Sequence, residues 1–179
     1  MKKINFNKNW KFAFQNSMDE FNMFGFDKYS DAAGAAARFY DYSNWENVDI
    51  PHDWTVRLQK NSLANTFAGA YPNTSYHRFM EERHSNIETI YNIGWYRKQF
   101  SLDPEWEGKR VFIEFEGIFR DAIVWVNGVY LDRHNSGYTS FTIEITDHLV
   151  IGEDNSIAVR VDSEQLEGWW YEGAGIYRN

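Results

Sequence analysis

The sequence of 179 residues contains no cysteine and no long apolar run. Without cysteine the chain can form neither a disulfide scaffold nor a thiolate metal site. No stretch approaches the roughly 18 apolar residues that a transmembrane helix needs. Lys2 and Lys3 near the start precede no apolar segment, so the sequence shows no signal peptide. We therefore expect a cytoplasmic protein that does not enter a membrane.

Basic residues are also scarce, since 18 Lys and Arg stand against 26 Asp and Glu, for a formal net charge of -8. Nucleic acids and anionic membrane surfaces attract proteins with a basic face, so neither partner is expected. Aromatic residues are abundant instead, at 18% of the chain. Aromatic side chains suit half-buried strands, interfaces and stacking on sugar rings, and burial in the core is favoured for any one of them.

The region from Gly94 to Asp162 contains six short stretches with the alternating pattern of β-strands. The pair Asn127-Gly128 lies between two apolar runs and predicts a tight hairpin, because both residues readily adopt positive φ. Turn signals recur every 10 to 15 residues or so, with no long helix between them. The sequence therefore predicts an all-β fold, an antiparallel β-sandwich or jelly roll. Inward-facing positions are predicted at Val111, Ile113, Phe115, Phe141, Ile143, Ile145, Ile157, Val159 and Val161.

One long stretch, residues 55 to 93, has no sustained strand pattern and is predicted to be an irregular loop. A short helix around Tyr76 to Arg83 is compatible with its sequence. Disordered segments are poor in aromatic residues, whereas this one contains Tyr71 and several others, so we expect it to be ordered. The alanine-rich stretch "DAAGAAARFY" near the start is predicted to be a second, shorter loop.

The residues alone indicate no active site and no metal site. His77 and His84 are seven positions apart, too far to share an ion on one helix, and no other histidine completes a set. His52 and Asp53 are neighbours in "PHDW", which is more typical of a satisfied turn than of a base and its orienting acid. The nucleophile motif G-x-S-x-G and the glycine-rich phosphate loops are both absent from the sequence.

Six stretches, in this order and spacing, resemble one known family, the N-terminal sugar-binding domain of glycoside hydrolase family 2 in its β-galactosidase-like branch. The resemblance runs from about Trp10 to Asn179. The stretches are "WENVDIPHDW", "GWYRKQF", "FEGIFRDAIVWVNG", "HNSGYTSFTIEIT", "NSIAVRVD" and "WWYEGAGIYRN".

The resemblance implies a galactose-binding-domain-like jelly roll over residues 1–179, forming a single domain. In the family, an immunoglobulin-like domain and a catalytic (β/α)8 barrel follow, and the barrel carries both catalytic glutamates. We therefore expect this chain to be a fragment with no catalytic residue and no cofactor of its own. Magnesium or sodium is expected only near the barrel site of the full enzyme.

The resemblance also implies where this domain meets sugar. The long loop and the segment ahead of "GIYR" reach the barrel mouth in the family, which gives Tyr71, Trp169, Trp170 and Tyr171 as substrate-binding candidates. This chain has Trp169 where some members carry an acid that helps to hold galactose and sodium. We further expect Ile176 and Tyr177 to pack on the sandwich, so that the aromatic tail belongs to the fold.

The leading hypothesis is a non-catalytic domain of a retaining β-galactosidase that packs on the barrel and helps to form the sugar subsite. Its partners would be a β-galactoside, bound through the full enzyme, and the missing C-terminal domains. Two alternatives stay open at the level of sequence. One is a free-standing carbohydrate-binding module, and the other is a purely structural domain that supports the barrel or forms a homo-oligomer interface.

Overall fold

A computed structural model describes residues 2–16, 34–58, 89–163 and 173–179, with no side-chain description for residues 16, 57–58 and 89–92. The regular secondary structure of the described part is almost entirely β-strand. The strands are β1 (Trp10–Asn16), β2 (Glu46–Val48), β3 (Thr89–Ser101), β4 (Phe112–Phe115), β5 (Ala122–Val126), β6 (Val129–His134), β7 (Phe141–Glu144) and β8 (Asp154–Asp162). The helical pieces are one α-helical turn, α1 (Thr55–Leu58), and the 3-10 turns Gly34–Ala36, Pro104–Trp106 and Thr146–His148. No helix in these ranges is long and apolar enough to cross a membrane.

The strands form two antiparallel sheets, as the sequence pattern predicts. The large sheet has the order β2-β1-β3-β8-β5-β6, and β4 pairs with β7 in a small sheet. The predicted hairpin joins β5 to β6, with φ of 51° at Asn127 and 82° at Gly128. These angles are the ones that a type I′ turn requires, so the Asn-Gly pair sets the direction in which β6 leaves the turn.

The core lies between the two sheets and is rich in aromatic side chains. Phe12 lies at its centre, with ring centroids 5.4 Å from Trp54 and 5.0 Å from Tyr96. The side chains predicted to face inward are there: six are buried, and Val111, Ile113 and Phe141 pack half-buried against the cluster. Burial in the core therefore explains much of the unusual aromatic content.

The outer face of the large sheet is also covered, which the strand pattern did not predict. Trp95 and Trp125 stack on this face with centroids 5.4 Å apart. Ala35 and Ala36, from the short 3-10 turn, form a second apolar cluster with them. The central strands are consequently buried on both faces.

A buried arginine holds this covering segment in place. Arg97 on β3 is 1% exposed and donates hydrogen bonds to the carbonyl oxygens of Ala35, Ala37 and Arg38. Its guanidinium lies 4.8 Å from the centroid of the Tyr42 ring. Burial lowers the pKa of Arg97, and the three carbonyls supply the hydrogen bonds that a buried cation needs.

The last seven residues, Gly173–Asn179, form what we call the C-terminal segment, and it is part of the sandwich. Gly175 and Phe119 exchange two backbone hydrogen bonds, of 2.7 and 2.9 Å. Ile176 is fully buried in the core, and the Tyr177 hydroxyl donates to the carbonyl of Gly137 at 2.8 Å. The prediction that Ile176 and Tyr177 pack on the sandwich is confirmed.

The prediction that residues 55 to 93 form an irregular stretch is wrong at both ends. It begins with the helical turn α1, and β3 starts at Thr89, five residues before the predicted strand. Thr89 and Ile90, at the start of β3, pair with Asn16 and Gln15 of β1. The partner that extends β3 is therefore distant in sequence. The helix predicted around Tyr76 to Arg83 lies outside the described residues.

We predict that Gly175→Ala destabilises the chain far more than Gly152→Ala. Both glycines have positive φ, but a Cβ at Gly175 would lie 2.4 Å from the Tyr96 hydroxyl and 2.5 Å from the His52 carbonyl, whereas nothing lies within 4 Å at Gly152. Urea unfolding should show a loss of about 3 kcal/mol for the first variant and about 1 kcal/mol for the second. Equal losses would show that the contact with Tyr96 and His52 is unimportant.

A second prediction concerns the ion pair between the ends of β4 and β7. The Arg110 guanidinium donates two hydrogen bonds to Glu144, and with Thr146 it lowers the pKa of Glu144 from 4.5 to about 2. Since the pKa is depressed, any stabilisation is present above pH 4.5 and is lost as the pH falls towards 2. NMR titration should give a Glu144 midpoint near 2, rising towards 4.5 in Arg110→Ala. An unchanged midpoint in the variant would contradict this assignment.

Candidate functional site

At one end of the large sheet, the described chain borders the segments that contain the predicted site residues. We call it the loop end, and it is marked by the paired positions Asn16 and Thr89, Ile93 and Asp162, and Ala122 and His134. The chain leaves the described structure after Asn16 and just beyond Asp162, and it re-enters at Thr89. In a sandwich, binding residues are commonly carried by loops on the rigid scaffold of the sheets.

Buried polar side chains fix the central strands at the loop end. The Gln15 carbonyl oxygen accepts hydrogen bonds from Trp95 Nε1 at 3.1 Å and from Arg160 Nε at 2.9 Å. Arg160 also donates to Asp162 at 3.2 Å. These contacts join β1, β3 and β8 by side chains in addition to the backbone ladder, so the described ends of these strands are fixed relative to one another.

The edge strand β6 is held by a second ion pair. Arg133 donates two hydrogen bonds of 2.6 Å to the carboxylate of Asp121, in the loop before β5. The hydrogen bond and the charge of Asp121 raise the pKa of Arg133. Arg133 and Asp121 are thus paired with each other, which makes them poor candidates for binding a ligand.

The turn from Ile50 to Thr55 connects the core to the C-terminal segment. The backbone N–H of His52 donates to the carbonyl of Ile176 at 2.7 Å, and that of Trp54 donates to Ala174 at 3.1 Å. Two backbone hydrogen bonds therefore join the turn to the segment. The position of one fixes the position of the other.

His52 has a structural role in this turn. Its Nδ1 atom lies 2.8 Å from the Tyr96 hydroxyl, and its ring packs 4.8 Å from the Phe12 ring. Asp53, the next residue, bonds instead to Thr55 and Ala174. His52 and Asp53 therefore have different hydrogen-bond partners, which is the arrangement expected of a turn rather than of a base and its orienting acid.

Asp53 has the clearest binding geometry in the described part of the chain. Its Oδ1 atom accepts three hydrogen bonds: from the Thr55 backbone at 2.9 Å, the Thr55 hydroxyl at 2.6 Å and the Ala174 backbone at 3.2 Å. Its Oδ2 atom accepts none from the described residues and faces Gly173, where a Cβ would lie only 2.6 Å away. A carboxylate with one oxygen fixed and one open is well suited to accept hydrogen bonds from hydroxyl groups.

The described residues do not form a metal site. No three His, Asp or Glu side chains within these ranges come close enough together to hold an ion. Asp53 contributes a single carboxylate, with one oxygen already engaged. The expectation that magnesium or sodium binds near the barrel of a full enzyme stays a prediction.

The four sequence-predicted site residues, Tyr71, Trp169, Trp170 and Tyr171, lie outside the described residues, as do His77 and His84. Sequence reasoning missed Asp53 as a binding candidate. A weak local signal existed, since an Asp two positions before a Thr is typical of a side-chain-capped turn. The backbone N–H of Ala174 that helps to fix Oδ1, however, lies 121 positions further along the chain, and no local pattern reveals that contact.

Known proteins similar to this chain are glycosidases. Beta-galactosidase BoGH2A of Bacteroides ovatus is 36% identical over 152 residues, which cover 83% of this chain and 16% of that protein. A beta-glucuronidase of Formosa agariphila is 30% identical over 188 residues, covering 98% of this chain and 16% of that protein. The crystal structure of a beta-glycosidase from Bacteroides vulgatus has 34% identity and a TM-score of 0.67, covering 98% and 19%.

This chain therefore spans less than one fifth of the length of each of these three proteins. A family model for the sugar binding domain of glycosyl hydrolases family 2 matches residues 3–179. The two-sheet antiparallel fold agrees with the solved glycosidase. The chain belongs to the sugar binding domain of glycosyl hydrolases family 2.

Proposed function

We propose that this domain serves a larger retaining β-galactosidase by helping to form the sugar subsite of a separate catalytic domain. The family assignment and the names of the similar proteins support a role in glycoside hydrolysis. An immunoglobulin-like domain and a catalytic barrel would complete the enzyme. The barrel would supply the acid/base and nucleophile carboxylates of the double-displacement reaction.

The observation that carries this proposal is that Oδ2 of Asp53 accepts no hydrogen bond from the described residues, whereas Oδ1 accepts three. Three hydrogen bonds to Oδ1 fix the carboxylate, so little ordering entropy is lost when a sugar hydroxyl donates to Oδ2. Gly173, which adjoins Oδ2, follows the predicted residues Trp169 to Tyr171 by only two positions. We propose that Asp53 and these aromatic residues contact the same sugar, the first by hydrogen bonding and the others by stacking.

The charge of Asp53 also bears on which sugar the enzyme takes. Similar proteins include both a beta-galactosidase and a beta-glucuronidase. A galactoside is neutral and offers hydroxyl donors, whereas a glucuronide carries a carboxylate that Asp53 would repel at close range. We therefore propose a neutral β-galactoside as the substrate, in agreement with the "PHDW" and "GWYRK" stretches.

We predict that Asp53→Asn weakens catalysis by the full-length enzyme. The amide keeps an oxygen for Thr55 and Ala174 but replaces the open acceptor with a donor. Hydrogen bonds to charged groups contribute about 1.5–3 kcal/mol, so kcat/KM for a nitrophenyl β-galactoside should fall about 10- to 100-fold.

The matched control for this variant is Asp49→Asn. Asp49 is an exposed carboxylate paired with Lys8 at 2.8 Å, and it accepts a further hydrogen bond from the Asn9 backbone at 3.0 Å. The Asp49→Asn variant should have a kcat/KM within about twofold of the wild-type value, because surface ion pairs contribute little free energy. Equal kcat/KM values for the two variants would contradict a sugar contact at Asp53.

We also predict that the 179-residue chain alone does not hydrolyse nitrophenyl β-galactoside. Both catalytic glutamates are assigned to the barrel, so no pair of carboxylates in this domain performs the reaction. The assay should include the Bacteroides ovatus β-galactosidase as a positive control. Turnover by the purified chain at a rate on the order of 1 per second or more, typical of enzymes, would contradict the proposal that the catalytic carboxylates lie in a separate domain.

A further inference from the structure

The turn between β5 and β6 contains chemistry that the proposed function does not use. Asn127-Gly128 is the only Asn-Gly pair among the 179 residues. In such a pair the backbone nitrogen of glycine attacks the side-chain amide carbon of asparagine, because glycine has no Cβ to shield that nitrogen. The pair is therefore a candidate site of deamidation, a spontaneous covalent modification.

Deamidation of this pair has two steps and needs no reagent other than water. The Gly128 nitrogen loses its proton and bonds to Cγ of Asn127, while the bond from Cγ to Nδ2 breaks and Nδ2 leaves as ammonia with a proton. Water then opens the resulting cyclic imide at one of its two carbonyl carbons. The product is aspartate or isoaspartate, so the side-chain amide is replaced by a carboxylate.

In the folded chain, three hydrogen bonds hold the side-chain amide of Asn127. Nδ2 donates to the carbonyl of His148 at 2.7 Å and to Oδ1 of Asn155 at 2.8 Å. Oδ1 accepts from the backbone N–H of Ser156 at 2.9 Å. In the attack, Cγ must move to within a covalent bond of the Gly128 nitrogen, and this movement breaks the three hydrogen bonds.

The groups around this amide are themselves fixed. Asn155 is fully buried, and its side chain makes three hydrogen bonds to the backbone of the turn before β8. The backbone N–H of Asn127 donates to the Ser156 carbonyl at 2.8 Å, which ties the hairpin to β8. Gly128 is buried, and the Arg38 backbone nitrogen lies 3.2 Å from the place where a Cβ would be. The reacting atoms are therefore released only when the β5–β6 hairpin opens.

The product of the reaction does not fit the place of the asparagine. A carboxylate at position 127 has no N–H to donate, so one of its oxygens would face two other acceptors, the His148 carbonyl and Oδ1 of Asn155. Asn155 cannot offer its nitrogen instead, since that atom donates to two backbone carbonyls. Acceptors left unpaired in this way destabilise a fold. Isoaspartate also adds a carbon to the main chain, which alters the two-residue turn.

We propose that Asn127 is a deamidation site whose reaction is coupled to opening of the β5–β6 hairpin. The fold suppresses the modification, and the modified residue prevents the hairpin from forming again with its original hydrogen bonds. Opening of the hairpin is reversible, whereas the covalent change is not. The modified fraction of the protein therefore records how often this part of the domain has opened.

The first test measures deamidation of the purified 179-residue chain at mildly alkaline pH, in buffer and in urea that unfolds it. Peptide mapping by mass spectrometry follows Asn127, with Asn135 as an internal reference that is exposed and precedes a serine. The reaction at Asn127 should be at least tenfold slower in buffer than in urea, and the rate at Asn135 should change much less. Equal rates at Asn127 in the two solutions would overturn the proposal, and so would an equal slowing at both sites.

The second test uses Asn127→Asp, which imitates one product of the reaction. Its control is Asn135→Asp, which makes the same change of charge at an exposed residue. In urea unfolding at neutral pH, Asn127→Asp should unfold at a clearly lower urea concentration than the control. Failure of Asn127→Asp to fold while the control folds would also support the proposal. Equal midpoints for the two variants would contradict the claim that the modified residue does not fit.

Discussion

The structure depends on the contact of Gly175 with Tyr96 and His52, where the C-terminal segment enters the sandwich. At this point the backbone lies so close to the Tyr96 hydroxyl and the His52 carbonyl that no side chain fits. That contact brings together three regions far apart in sequence: the turn after β2, the loop after β4 and the last residues of the chain. Ile176, the next residue, is buried in the core. The aromatic, glycine-rich tail is therefore a structural element of the domain.

The contact at Gly175 also fixes the position of the residues around Asp53. With the C-terminal segment fixed, Ala174 anchors the carboxylate of Asp53 and Gly173 leaves room for its second oxygen. Beneath it, the large sheet is rigid because both faces are buried, with Arg97 holding the outer covering and Gln15 joining the central strands. A domain of this kind suits precise placement of a few side chains beside a separate catalytic centre.

Much of the fold was predictable from local sequence patterns. Alternation identified the six strands after Gly94, and the Asn-Gly pair located the hairpin, because both signals depend only on neighbouring residues. The covered outer face was not predictable, since Arg97 and Gln99 share that face with Trp95 and such polar residues are typical of a solvent-exposed face. The burial of Arg97 and Trp95 depends on a segment some 60 positions away. Asp53 was not predicted as a binding residue for the same reason, because backbone groups distant in sequence help to fix its carboxylate.

The central claim is that Asp53 contacts the sugar from outside the catalytic domain. The most direct measurement is a crystal structure of the full-length enzyme with galactose bound. The account predicts that Oδ2 of Asp53 lies about 2.6–3.0 Å from a hydroxyl oxygen of the sugar, while Oδ1 keeps its bonds to Thr55 and Ala174. A sugar bound in the active site with Asp53 more than about 6 Å from every hydroxyl, beyond direct and single-water hydrogen bonding, would contradict it.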